Sequence, residues 1–384
     1  MKKALLAAAL MTAGVVAHAQ SSVTLYGRLD AGLEYMSGVP QGVGANGQAT
    51  SSANRFKAES GDWGTSLWGL KGVEDIGGGN KVLFQLEGSF NTMTGAGPGG
   101  GGLFNRWATV GLANDQYGTF TMGRMLFISN GVWDFDPFGQ SNWSSASLVR
   151  GRNWPQSSNN FAYQSPKIAG FDFYGQYALS NATSWNGNGT TPQGREAGAQ
   201  VTYTNSLFQI RGLYDEIRNP TNGSLWGGNV GANSNAANTA NGVFAASREY
   251  TAMFNVFLGQ FKIQGAYQAV RSAGATGVLP GQPTTLDHEW GGVTWQATPA
   301  AALIAAVYHV NGNNGAGNAT IYTVGGSYNL SKRTLLDLQA ATVRNSSTAN
   351  FGLNANNAGF ATATDNPLQG HQQSGVYAGI QHSF

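Results

Sequence analysis

The side chains that could do chemistry in this sequence are few and scattered. It has five histidines (His18, His288, His309, His371 and His382) and no cysteine. Disulfides and thiolate metal sites are therefore excluded. Covalent catalysis needs a nucleophile and a base within reach of each other, and no histidine here sits in a local partner motif. The glycine-rich run 97–102 lacks the Lys-Ser/Thr of a phosphate loop. The chemistry concentrates instead in one segment, residues 124–154. It opens Arg124-Met125-Leu126-Phe127 and passes Trp133-Asp134-Phe135-Asp136-Pro137-Phe138-Gly139. A Ser/Asn-rich run then leads to Arg150, Arg152 and Trp154. An irregular segment of about thirty residues is unusual in a compact domain and usually functional. Its charges suit an electrostatic role, although turn capping is the plainer reading of Asp134 and Asp136. Trp133, Trp143 and Trp154 could stack sugars, but pinning the loop to a wall suits their bulk and single N–H donors better.

The flanking elements that must position this segment alternate like strands. Residues 23–35 place Val, Leu, Gly, Leu, Ala, Leu and Tyr on odd positions and Thr, Tyr, Arg, Asp, Gly and Glu on even ones. That is one apolar face and one charged face. Strand patterns follow at 63–76, 81–91, 103–113, 118–124, 160–165, 170–179, 195–204, 207–217, 248–257, 261–271, 286–297, 301–310, 321–330, 334–344 and 373–384. Short turns alternate with long polar loops, among them 36–61. About sixteen antiparallel strands with short turns on one side and long loops on the other form the pattern of a transmembrane β-barrel. Sixteen strands leave an aqueous channel, whereas about eight would be filled by side chains. The expected fold is all-β: a 16-stranded antiparallel barrel with residues 124–154 folded inward as a constriction.

Composition agrees. Charged residues are 10% of the 384, against about 25% in soluble domains, and there are 56 glycines. Mean hydropathy is −0.22. A Lys or Arg on the lipid face at mid-membrane costs roughly 2–4 kcal/mol, so strand charges are expected to point inward. Residues 1–19 read as a signal peptide: Lys2-Lys3, an apolar run from Ala4 to Val16, then Ala17-His18-Ala19. Residues 20–384 then form one domain. Without Lys2 and Lys3, 19 basic side chains face 19 acidic ones, which argues against nucleic acid as a partner. Tyr35, Tyr117, Tyr174 and Tyr377 fit interfacial girdles.

Several segments resemble the trimeric general porins of Gram-negative outer membranes, in order along nearly the whole mature chain. Ser22-Val23-Thr24-Leu25-Tyr26-Gly27-Arg28-Leu29-Asp30 resembles that family's first strand. Trp68-Gly69-Leu70-Lys71-Gly72-Val73-Glu74-Asp75 with Gly77-Gly78-Gly79 is similar to its second strand and turn. Asn105-Arg106-Trp107-Ala108-Thr109-Val110-Gly111-Leu112 and Gly118-Thr119-Phe120-Thr121-Met122-Gly123-Arg124 resemble the strands before its constriction loop. Residues 134–139 sit where the family keeps an acidic motif, and Gly379-Ile380-Gln381-His382-Ser383-Phe384 resembles its last strand.

The resemblance implies a water-filled outer-membrane channel for passive diffusion of ions and small hydrophilic solutes, exported through the periplasm and assembled as a homotrimer. It implies no cofactor, no metal and no enzymatic activity. Outer-membrane lipid and lipopolysaccharide would surround it, and Phe384 would be the signal read by the barrel-assembly machinery. It also implies a constriction in which Asp134 and Asp136 face a basic ladder of Arg28, Lys71, Arg106 and Arg124. The family's usual arginine is Leu67 here, so the ladder is thinner, and Arg150 or Arg152 could compensate. Ion preference stays open at this stage. The alternatives are a channel selective for sugar, phosphate or an organic acid, and an outer-membrane barrel enzyme.

Overall fold

The computed structural model describes residues 22–43, 49–97, 102–148, 156–179, 195–218, 246–273, 283–354 and 365–384. The expected signal peptide, Arg150, Arg152 and Trp154 lie outside the described residues. The strands are β1 Ser22–Val43, β2 Ala49–Glu59, β3 Leu67–Gly77, β4 Asn80–Ser89, β5 Trp107–Asn114, β6 Gly118–Leu126, β7 Gln156–Gln164, β8 Phe171–Ala178 and β9 Arg195–Thr204. They continue as β10 Phe208–Arg218, β11 Ala246–Leu258, β12 Phe261–Ala273, β13 Thr285–Gln296, β14 Ala301–Gly312, β15 Gly317–Asn329, β16 Thr334–Asn345 and β17 Gln373–Ser383. From β3 onward each strand pairs antiparallel with the next. Pairing of β1 with β17, from Arg28↔Ser383 to Ser37↔Ser374, closes the ring. Closure removes both sheet edges and satisfies the backbone without water, as a wall in lipid requires.

Seventeen segments make sixteen staves, because β2 and β3 share one side of β1. The upper half of β1 pairs with β2, from Gly32↔Glu59 to Val43↔Ala49, and its lower half with β3, from Ser22↔Val73 to Arg28↔Leu67. The expectation of a loop over 36–61 is therefore corrected: β1 runs to Val43 and β2 returns beside it. The sequence of β2, Ala-Thr-Ser-Ser-Ala-Asn-Arg-Phe-Lys-Ala-Glu, shows no apolar alternation. This part of the wall extends its external end, where no apolar face is needed.

Alternation along β1 is inverted relative to a soluble protein. Val23, Leu25, Leu29 and Leu33 face outward and are exposed, whereas Asp30 and Glu34 are buried inside. Two expectations need correction. Tyr35 and Tyr117 stand on the outer surface, but Tyr377 is fully buried and donates to Asp30 Oδ1 at 2.9 Å. Tyr174 also turns inward, with its hydroxyl 3.9 Å from Met125 Sδ. Residue type suggested a girdle, but strand register puts these two rings on the inner face. Not every strand charge points inward either. Near the external ends of the strands, Arg248 pairs with Glu216 at 2.6 Å and Arg271 with Asp287 at 2.5 Å. By register Glu216, Arg248 and Arg271 lie directly across from one another on one outer row. Each arginine meets the cost of that face by pairing with a carboxylate.

The main apolar cluster lies between the segment after β6 and the inner wall. Phe127, Ile128, Val132, Phe135, Phe138, Trp143 and Leu148 pack on Leu213, Met253, Trp290, Tyr308, Ile321 and Tyr377. Burying each such side chain is worth roughly 1.5–3 kcal/mol, so this segment is fixed in place by its own core.

Candidate functional site

The segment between β6 and β7, loop three, is inside the barrel. It forms a 3-10 turn over Ile128–Phe135 and one α-helical turn, α1, over Ser145–Leu148. Between these, Gln140 and Trp143 take left-handed backbone angles, φ 56° and 62°. Such angles are uncommon for side chains of this size and persist where packing over-determines them. Trp143 has no exposed surface, consistent with an anchoring role, whereas Trp133 is 37% exposed.

Loop three runs along the wall from β9 round to β17. Trp290 Nε1 donates to Phe135 O at 3.0 Å, Thr323 Oγ1 to Trp143 O at 2.7 Å and Gln339 Nε2 to Asn142 O at 3.0 Å. The wall makes room for it with glycine. A Cβ on Gly198 would lie 2.3 Å from Ile128 Cγ2, and one on Gly375 would lie 2.9 Å from the Trp143 ring. Pro137 and Phe138 occupy the space beside Gly292 and Gly325 in the same way.

Two further segments clamp the loop. Residues 60–66, between β2 and β3, supply Asp62, whose carboxylate accepts from Asn142 Nδ2 and whose carbonyl accepts from Asn142 N. Trp63 meets Phe138 edge-on at 6.0 Å. Asp62 is buried, and its carboxyl is pushed well above the usual range by desolvation, with Glu34 adding to the rise. The last external loop supplies Leu353, whose carbonyl accepts from Trp143 N and Ser147 Oγ. That loop is tied down in turn: Arg55 holds Asp365 through two bonds of 2.6 and 2.9 Å.

The two acids expected in the constriction behave differently. Asp136 is 3% exposed. Its Oδ1 accepts from Tyr308 Oη at 2.7 Å and Phe138 N at 2.8 Å, and its Oδ2 from Ser145 N at 3.2 Å. Burial pushes its carboxyl above the usual range against these donors. The expectation that Asp136 faces a basic ladder is corrected, because the side chain is spent inside the loop and on β14. Asp134 is exposed, but it faces the other wall. Its Oδ2 lies 3.3 Å from Arg211 Nη1 on β10. Its carbonyl accepts from Asn255, Gln264 and Lys262 at 3.2, 3.1 and 3.3 Å.

The bases fall into two places. Arg28, Lys71 and Arg106 share one patch of the inner wall on β1, β3 and the entry to β5. Arg28 Nε donates to Thr65 O at 3.0 Å, and Lys71 Nζ sits 5.1 Å above the Tyr26 ring. Arg106 is buried with Nε 2.6 Å from Glu87 Oε1, while Tyr26 Oη donates to Glu87 Oε2 at 2.8 Å. Leu67 faces inward directly opposite Arg28, so an apolar side chain interrupts the basic row. Arg124 stands apart. A register shift between Gly123 and Met125 breaks the alternation, and its guanidinium binds Asn105 O at 2.7 Å and Ser158 Oγ at 2.8 Å. No motif in the sequence singles out Arg211, Lys262 or Glu87. Strand alternation around Arg211, between outward Ile210 and Gly212, was the available signal.

A water-filled ring narrowed by a clamped, polar-edged loop is a sieve. Among the described residues there is no group of three or more His, Asp or Glu placed to hold a metal. Comparison with known proteins agrees with the geometry. A family profile described as Gram-negative porin matches residues 4–348. An outer membrane porin of Bordetella pertussis is 34% identical over 58% of this chain and 61% of that one. Outer membrane porin protein 32 of Delftia acidovorans is 30% identical over the full length of both. Among solved structures, the anion-selective porin from Comamonas acidovorans superposes with TM-score 0.74 at 22% identity, covering 95% of this chain and all of that one. An outer membrane protein of Vibrio cholerae, solved in a trimer form, superposes with TM-score 0.62 at 12% identity over 95% of this chain and 99% of that one. The chain belongs to the Gram-negative porin family: it is a multi-pass outer-membrane channel for passive diffusion of ions and small hydrophilic solutes.

Proposed function

We propose that this channel favours anions. The observation behind this reading is the unequal fate of the charges around the bore. Asp134 is matched by Arg211, Glu87 by Arg106, and Asp136 is withdrawn into the loop. Among the described residues Arg28, Lys71 and Lys262 form no ion pair: they meet a carbonyl, an aromatic ring and a carbonyl, with Asp30 near Arg28 and Asp134 near Lys262 acting only at longer range. Asp30, Glu249 and Asp337 also lie on the inner wall but are buried, so the excess this reading invokes is of cations at the water surface near loop three and not of the wall as a whole. The anion selectivity of the Comamonas porin, which has this fold, accords with the reading. One unmatched charge about 10 Å from a permeating ion contributes roughly 0.4 kcal/mol at the dielectric of water and about 1.7 at an effective value of 20. The expected preference is mild, from about twofold to somewhat over tenfold, without a tight binding site. The test is the reversal potential of purified channels under a tenfold KCl gradient. A chloride-like sign is expected, and a potassium-like sign overturns the reading.

The protein acts in this reading as a homotrimer without catalytic activity or cofactor. The trimer form of the Vibrio cholerae neighbour supports the assembly; conductance steps in threes would test it. Phe384 closes the seam by exchanging backbone bonds of 3.1 Å with Gly27, a placement suited to a terminal residue recognised during barrel assembly.

A further inference from the structure

We infer that Arg211 of β10 is the specificity-determining and positioning residue of loop three: its guanidinium both fixes the loop's first turn to the wall and holds the carboxylate of Asp134 against that wall. The inference rests on the anion-preferring reading for its consequence, but its geometry stands separately. Four contacts converge on one side chain that is itself only 10% exposed. Nη1 donates to Gly131 O at 2.6 Å and lies 3.3 Å from Asp134 Oδ2. Nε donates to Thr202 Oγ1 at 2.9 Å on neighbouring β9. The guanidinium plane packs 4.9 Å from the centre of the Phe135 ring.

A planar, forked cation can serve a carbonyl, a hydroxyl, a carboxylate and an aromatic face together, whereas an ammonium offers one point charge. The loop carbonyls at 131 and 134 meet donors from β10, β11 and β12, so the 3-10 turn is held as a unit, with Arg211 at its centre. Asp134 is 51% exposed at its side chain, so solvent and permeating ions reach it from one side while Arg211 holds it from the other. Counting charges alone assigns Arg211 no role beyond its +1. The geometry assigns it the orientation of Asp134 as well.

The experiment is a mutant cycle on purified trimers in planar bilayers, reading reversal potential and open-channel noise for Arg211→Lys, Asp134→Asn and the double variant. Arg211→Lys keeps the charge. It is expected to raise noise and to shift the reversal potential toward potassium, because a freed Asp134 enters the path of ions. Adding Asp134→Asn should then remove that shift. The two changes should couple by at least about twofold in permeability ratio, the lower end for residues in contact. Arg211→Lys channels that match the unaltered protein in noise and potential overturn the inference, as does strict additivity of the two changes. Folding is checked by heat-modifiable mobility. Should Arg211→Lys fail to assemble, Thr202→Val and Asp134→Asn/Thr202→Val, which remove the acceptor of Arg211 Nε and keep every charge on Arg211, carry the comparison. Coupling is read whatever the sign of the parent's selectivity, so a potassium-selective parent would reject the anion reading without deciding this one.

Discussion

Removing the hydroxyl of Tyr308 should loosen loop three without changing ion preference. Tyr308 is fully buried on β14, and its Oη reaches Asp136 Oδ1 at 2.7 Å. Phenylalanine keeps the ring and its packing against the loop, so the change is confined to one hydrogen bond to a carboxylate. Bonds of that kind contribute about 1.5–3 kcal/mol, and their loss leaves a buried acceptor short of a donor. Asp136 would retain Phe138 N and Ser145 N. Taking about 2 kcal/mol as the loss of attachment, the population of loops detached from β14 should rise by up to about thirtyfold. Single-channel recording should show more frequent brief closures or excess noise, and the folded protein should melt at lower temperature. The reversal potential should hold, because no charge that lines the bore has changed. A Tyr308→Phe channel as quiet and as stable as the parent would refute the structural role assigned to Asp136. So would a shift in selectivity as large as that of Asp134→Asn, since it would place Asp136 in the path of ions.

Other consequences follow from the clamps and the seam. Gly375→Val should force the Trp143 ring from its seat, because even a Cβ there lies 2.9 Å from it; overpacking of this size costs about 1–3 kcal/mol, and a fall in conductance with lower thermal stability is expected, with an unchanged melting curve counting against the fit. The Arg55 hydrogen bond holds the Asp365 carboxyl below the usual carboxylate range. The stability of that tether is therefore complete above the ordinary carboxyl pKa, about 4, and is lost as pH falls through the lower folded value. Asp136 runs the other way: its raised pKa means that its contribution is present in acid and declines as pH rises. Acid should thus release the last external loop, seen as rising mobility of a spin label at Ser347 below about pH 4; a label equally immobile at about pH 7 and about pH 3 would contradict the tether. Deleting Phe384 removes two backbone bonds at the seam, and the folded fraction recovered from outer membranes should drop severalfold, whereas undiminished recovery would deny it an assembly role.

How far the sequence could be read follows from what each face must satisfy. The outer face of β1 answers to lipid, so Val23, Leu25, Leu29 and Leu33 announce their direction. The inner face of β10 answers to water and to loop three, and its Gln209, Arg211 and Leu213 carry no common signature. Alternation told which way Arg211 points, but not that loop three leans on that side. The glycines at 198, 292, 325 and 375 were equally silent. Each is unremarkable among 56 until the loop residue it admits is known. Strand β2 was missed because no constraint acts on its composition, and Tyr174 and Tyr377 were misplaced because ring type says nothing about register.

The acidic motif shows most plainly where periodicity stops. Asp134 and Asp136 differ by two positions in a segment that is neither strand nor long helix, so no period relates them. In the 3-10 turn that ends at Phe135, Asp134 remains at the edge while Asp136, the first residue beyond it, turns back under Tyr308. Their shared charge in sequence thus becomes one carboxylate that ions can feel and one that works as a structural acceptor. Equal numbers of acids and bases over residues 20–384 still allow a biased bore, because selectivity depends on which charges remain unmatched at the water surface. That is set by the wall on which the loop is clamped, and in this barrel the clamp brings Asp134 to Arg211 and leaves Lys71 exposed, with Arg28 half-buried beside it.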